Sequence, residues 1–152
     1  MLKSTRSECP VSFALDLFGD KWSLLIVRDL FLKGRQRYQD LLNSGERIAT
    51  NILADRLARL EKNGLIRKSG DPANKKQSFY SLTGKGTDLS AVLLEMVIWG
   101  LKYSPDPARR RAFLKRMRSD EPGVRKEIEW RLRTHAGSPR QANSTRAATG
   151  RR

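Results

Sequence analysis

Apolar positions recur at helical spacing through most of the first hundred residues. Pro10 suits the first position of a helix, making Cys9 its N-cap, and Val11, Ala14, Leu15 and Phe18 follow with i, i+3, i+4, i+7 spacing. Gly19 ends that helix. Asp20 is a good N-cap for the next, where Trp22, Leu24, Leu25, Ile26, Val27, Leu30 and Phe31 are apolar on nearly every side, as expected of a central, buried helix. Gly34 closes it, and RYQDLLN predicts a helix of about two turns before the turn residues SGER. A longer helix follows. At ~100° per residue, Leu53, Leu57 and Leu60 stack on one face with Ile52 at its edge, while Asn51, Asp55, Ala58 and Lys62 lie opposite. Gly64 terminates it.

The period then changes. LIRKS and SFYSL are two strand-like runs separated by GDPANKKQ, whose Gly, Asp, Pro and Asn favour a turn, so a hairpin with a basic tip is expected. Thr83 can cap the helix after it, although Gly84 and Gly86 weaken its first turn. Leu89, Val92, Leu93, Met96, Trp99 and Gly100 then form a long apolar stripe, widened by Val97, Ile98 and Leu101. A stripe that wide calls for a partner subunit. The order of elements is that of a winged helix-turn-helix: a mainly α fold with a small β-hairpin wing, dimerising through its N-terminal helix and its long C-terminal-side helix.

The remainder of the chain differs in character. Residues 1–103 carry 17 Lys+Arg against 11 Asp+Glu, whereas residues 104–152 carry 14 against 5 and have few large apolar side chains. Three parts are expected. Residues 1–103 form the DNA-binding and dimerisation domain, residues 104–134 a basic helical extension, and residues 135–152 a disordered basic tail without a large apolar residue. Within the extension, Ala112, Phe113 and Met117 share one helix face, SDEPG breaks the pattern, and Val124, Ile128 and Leu132 form another stripe.

A net charge of +15 over 152 residues points to a polyanionic partner. A membrane is not expected, because Arg28, Asp29, Glu95 and Lys102 interrupt the longest apolar runs and the N-terminus lacks the apolar stretch of a signal peptide. A cytoplasmic protein follows. With Cys9 the only cysteine and His135 the only histidine, no disulfide framework, metal site or cofactor is expected. Catalysis also lacks support: there is no phosphate-binding loop, GxSxG or HExxH, and GKG at 84–86 belongs to the turn after the hairpin.

The function-bearing residues cluster on the long helix and its neighbours. A helix entering the major groove presents short polar residues near its start, and Thr50, Asn51, Ala54 and Asp55 meet that requirement. Asn51 can pair with adenine, Asp55 can accept from cytosine N4, and Ala54 can contact a thymine methyl. Capping by Thr50 and Asn51, and an ion pair of Asp55 with Arg59, are the competing structural roles. Arg35, Arg37, Gln39, Arg56 and Arg59 suit phosphate contact, although Arg56 lies near the buried side, where pairing with Asp40 or another acid competes. In the wing, Lys75 and Lys76 occupy the tip and Arg67 and Lys68 the base. Val11, Leu15, Leu89, Val92, Leu93, Met96 and Trp99 are the candidate dimer face.

Four stretches carry a family resemblance: CPVSFALDLFGDKWSLLIVRDLFLKGRQRYQDL, IATNILADRLARLEKNGLI, YSLTGKG and the Trp99–Gly100 pair. Together they resemble the HxlR-type bacterial transcription regulators, relatives of the MarR group. The resemblance implies a homodimeric, sequence-specific regulator of double-stranded DNA, more readily a repressor than an activator, acting at a pseudo-palindromic operator. Some family members use a cysteine at the place of Cys9 to sense oxidants, quinones or aldehydes. A thiol at a helix N-terminus near Lys3 and Arg6 favours the thiolate, and a buried structural cap is the alternative. The other expected signal is a small-molecule effector in the crevice between the DNA-binding part and the dimer helices. The competing function is a charge-driven RNA-binding or nucleoid-associated protein using the arginine-rich tail.

Overall fold

The computed structural model describes residues 8–34, 36–71 and 74–134, without the side chains of residues 75, 76 and 132–134. The chain opens with α1 (Pro10–Phe18), whose proline lies in the first turn and whose N-cap is Cys9. After Gly19 comes α2 (Lys21–Lys33). The Asp20 carboxylate caps it, accepting from the amides of Trp22 and Ser23 at 3.1 Å each and from the Ser23 hydroxyl at 2.6 Å. Ile26, Val27, Leu30 and Phe31 on α2 are buried, as a helix apolar on nearly every side requires.

Next, β1 (Gln36–Arg37) leads directly into α3 (Tyr38–Leu42), and a turn delivers the chain to α4 (Thr50–Lys62). The hairpin is β2 (Ile66–Asp71) and β3 (Asn74–Leu82), with Ile66 opposite Leu82 and Lys68 opposite Tyr80. The two-residue β1 pairs with the other edge of β3, Gln36 opposite Tyr80, giving a three-stranded antiparallel sheet of order β1-β3-β2. No sequence signal announces β1. In the sequence Gln36 belongs to no element and Arg37 to the start of the short helix, and only the approach of β3 makes them a strand.

After the hairpin, α5 (Gly84–Thr87) is a single turn and α6 (Ser90–Lys102) the long apolar helix. Of the two glycines that begin this segment, Gly86 is the one packing requires: a Cβ there would lie 2.0 Å from the Leu65 carbonyl oxygen, whereas one at Gly84 would meet open space. That close approach, with Thr83 Oγ1 donating to the Gly64 carbonyl at 2.6 Å, closes the base of the wing. The last helix, α7 (Pro107–Thr134), is two limbs joined where Asp120 leaves helical geometry (φ −157°, ψ 74°), just before Pro122.

The main core unites α2, α4, the sheet base and α6 through Phe31, Leu30, Leu53, Leu60, Leu65 and Leu93, with Ile128 of α7 packed against it. A smaller core joins α6 to α7 through Ile98, Phe113 and Val124, with Leu94, Leu101 and Met117 alongside. The breadth of the α6 stripe therefore has two causes. One flank of α6 is covered within the chain by α7, a job the sequence pattern assigned to a partner. Leu89 and Leu93, placed on the dimer face by that pattern, are buried in the main core instead. Val92, Met96 and Trp99 stay exposed, as do Val11 and Leu15 on α1.

Candidate nucleic-acid interface

The geometry of α4 follows from what clamps it. Leu53, Leu57 and Leu60 are at most 2% exposed and lock one face into the core. Because residues 50, 51, 54 and 55 fall on the other side, Thr50, Asn51, Ala54 and Asp55 all reach solvent in the first turns of the helix. The N-terminal end is tied down by Tyr38, whose hydroxyl donates to the Thr50 carbonyl at 2.8 Å. The preceding turn uses Gly45 at φ 94° and Arg47 at φ 57°. Arg28 of α2 holds that turn, pairing with Glu46 at 2.8 Å and with the buried Asp29 at 2.8 Å.

A second clamp joins α4 to the start of α2. Arg56 Nε donates to Asp20 Oδ1 at 2.9 Å, and the same guanidinium pairs with Asp55. Burial opposes the charge on Asp20, but the Ser23 hydroxyl and amide and the Arg56 guanidinium outweigh it, holding the carboxyl below its usual value. Arg59, on the same helix, donates to the Asp16 carbonyl of α1. Asp55 thus pairs with Arg56 rather than with Arg59.

The residues expected on phosphates divide into two groups. Arg56 and Arg59 engage groups within the chain, and so does Arg37, whose Nη2 lies 2.9 Å from the buried carboxylate of Asp71 and whose guanidinium stacks 4.9 Å over the Phe79 ring. Arg37 therefore fastens the root of α3 to the wing. In contrast, Gln39 and Lys68 are exposed, and Arg67 is exposed while donating to the Ser81 hydroxyl at 3.1 Å. Arg35 and the side chains of Lys75 and Lys76 lie outside the described residues. Arg37, Gln39 and Lys68 nevertheless meet: with Gln77, Ser78 and Tyr80 they line a concavity of about 370 Å³ between α3 and the wing. In the sequence these residues belong to two separate elements, and the β1–β3 pairing brings them together.

Among the exposed large apolar side chains of the described residues are Val11 (65%) and Leu15 (56%) of α1 and Met96 (48%) and Trp99 (66%) of α6. Cys9 is exposed at the start of α1. Among the described residues no three His, Cys, Asp or Glu side chains group as a metal site, and no helix is long and apolar enough to cross a membrane.

A short helix, a glycine-containing turn, a longer helix with a polar outer face and a β-hairpin beside it make this a winged helix-turn-helix of the MarR type. The chain belongs to the HxlR-like helix-turn-helix family, which matches residues 17–107. Among its relatives, the HTH-type transcriptional regulator sll1512 of Synechocystis is 38% identical over 88 residues. That match covers 58% of this chain and 64% of sll1512, so the chain spans less than two thirds of that relative's length. The HTH-type transcriptional regulator YodB of Bacillus subtilis is 35% identical over 96 residues, 62% of this chain and 85% of YodB. In structure, the reduced form of YodB superposes with a TM-score of 0.54 at 31% identity, covering 65% of this chain and 97% of YodB. Quinone-bound YodB gives 0.53 at 32% identity, over 62% and 100% of the two chains. The redox regulator HypR in its oxidised form gives 0.53 at 30%, over 60% and 94%.

Proposed function

We propose that the protein is a homodimeric transcriptional regulator in the cytoplasm that reads a pseudo-palindromic operator in double-stranded DNA, with half-sites near one helical turn apart. The observation that carries this reading is the outer face of α4, where Thr50, Asn51, Ala54 and Asp55 are exposed together on a helix clamped on its other side. Asn51 and Asp55 read base edges, Ala54 allows close approach, and Gln39, Lys68, Lys75 and Lys76 contact phosphates beside them. Arg37, Arg56 and Arg59 act mainly by positioning, since each is engaged inside the chain. Residues 1–103 are the reading and dimerising domain, residues 104–134 an added helical layer, and residues 135–152 a basic tail.

Dimerisation uses Val11, Leu15, Val92, Met96 and Trp99, apolar side chains that a monomer leaves in water. Occlusion of a promoter makes the protein a repressor. Its release is by a redox or electrophile signal at Cys9, a reading supported by the exposed position of that thiol at the first turn of α1 and by the quinone-bound and oxidised structures of relatives. No second cysteine exists in the chain, so a protein disulfide at Cys9 joins two chains.

A second reading, charge-driven binding to nucleic acid without an operator, is favoured by one observation: Arg109, Arg111, Lys115 and Arg118 are exposed on the first limb of α7, which holds no acid before Asp120. Selection of bound sequences from a random DNA pool, reduced and then oxidised, separates the two. An inverted repeat recovered only under reduction supports an operator and the Cys9 switch. The same repeat in both conditions removes the switch, and absence of any repeat establishes the charge-driven binder. Cys9→Ser should abolish oxidant-dependent release.

A further inference from the structure

The α7 helix lies beyond the family match, which ends at residue 107, and it does more than cover α6. Beside the small core of Ile98, Phe113 and Val124, the two helices leave a cavity of about 590 Å³, within the size range of small-molecule sites. Its floor is apolar, made by Ile98 of α6 and by Phe113, Leu114 and Met117 of α7. Its rim is cationic: Lys102, Arg118 and Arg125, against the single carboxylate of Glu121.

That carboxylate is already answered. Arg125 Nε lies 3.0 Å from Glu121 Oε1, and the other end of the same guanidinium pairs with Glu95. Lys102 and Arg118, by contrast, pair with no carboxylate among the described residues. The cavity therefore keeps a net positive rim over an apolar floor, a combination that rejects two kinds of ligand. A neutral hydrocarbon leaves the rim unused, and a polyanion such as a nucleic acid gains nothing from the floor.

We propose that this cavity binds an amphipathic organic carboxylate, its apolar body on Phe113 and Met117 and its carboxylate between Lys102 and Arg118. Arginine presents a planar fork that matches a carboxylate in two hydrogen bonds, and lysine adds a mobile point charge. Occupancy pins the first limb of α7 to α6, the helix on which Met96 and Trp99 are also exposed. The site does not depend on the DNA reading, because its residues are separate from α4 and the wing.

Calorimetric titration of the full chain with 2-naphthoate, and with the neutral 2-naphthamide of the same shape, tests this. The expected result is one saturable site per chain for naphthoate, with the amide weaker on the order of 10-fold or more. Lys102→Gln with Arg118→Gln should remove that preference by weakening naphthoate alone, and Met117→Trp, which fills the floor, should weaken both ligands. Both rim positions are exposed, so the rim variant should melt like the parent and keeps the test valid even if Met117→Trp folds poorly. Absence of saturable naphthoate binding, equal affinity for acid and amide, or an acid preference that survives the rim double variant would each overturn the proposal.

Discussion

Replacing Arg56 with glutamine decides whether this residue positions α4 or holds a phosphate. In the folded chain Arg56 and Asp20 are each about one-quarter exposed at the side chain, 23% and 25%, and their atoms are 2.9 Å apart. A pair of that exposure lies at the upper end of what surface ion pairs contribute, about 1 kcal/mol, because water still screens it. Asp20 keeps its cap hydrogen bonds to Trp22 and Ser23 when Arg56 is lost, so no carboxylate is left orphaned and the cost stays at that value. For a chain of this length that is a fall in Tm of roughly 2–4 °C.

A double-mutant cycle with Asp20→Asn isolates the pair, with a coupling energy of about 0.5–1 kcal/mol by denaturant unfolding. The coupling also has a pH signature. Because the folded-state pKa of Asp20 is lowered, its contribution is fully present above the unfolded value and is lost as pH falls through the folded one. The stability gap between the parent and Asp20→Asn should therefore shrink as pH falls through and below the ordinary carboxylate range. On DNA, Arg56→Gln should weaken binding without changing its dependence on salt. Additive single mutants, together with a salt slope flattened by about 1, would refute the positioning role and make Arg56 a phosphate contact.

Other expectations follow from single contacts. Asn51→Ala should cost ~1–3 kcal/mol at one operator position and relax base preference there, measured by competition among operator variants; equal losses on operator and random DNA remove the assignment. Lys76→Ala should instead weaken all DNA binding alike and flatten the salt slope by about 1. Trp99→Asp, at a side chain 66% exposed in the single chain, should leave the fold intact and yield monomers by light scattering, since a charge would enter the apolar seam; a persistent dimer relocates the interface. Gly86→Ala should lower stability by at least ~2 kcal/mol, because the new methyl would sit 2.0 Å from the Leu65 carbonyl oxygen; an unchanged melting curve shows that the wing base can move aside.

Much of this protein was legible in its one-dimensional pattern. The leucines at 53, 57 and 60 recur at helical spacing, so they dictate both that α4 is a helix and that residues 50, 51, 54 and 55 face away from the core. Asp20, Gly34 and Thr83 mark element boundaries through local hydrogen bonding and backbone freedom, which depend on a few neighbours only. Contacts between distant residues left no such trace. The strand character of Gln36 and Arg37 exists because β3 arrives beside them, and the pairings of Arg37 with Asp71 and Arg56 with Asp20 join residues 34 and 36 positions apart. The same holds for the breadth of the α6 stripe. Periodicity states how much apolar surface a helix must hide but not what hides it, and only the fold divides α6 among the main core at Leu93, α7 at Ile98, and the exposed side chains Met96 and Trp99. Local chemistry sets the elements because its energies are short-ranged, whereas assignment of each face to a neighbour is a choice among surfaces that are equally apolar until the chain is folded.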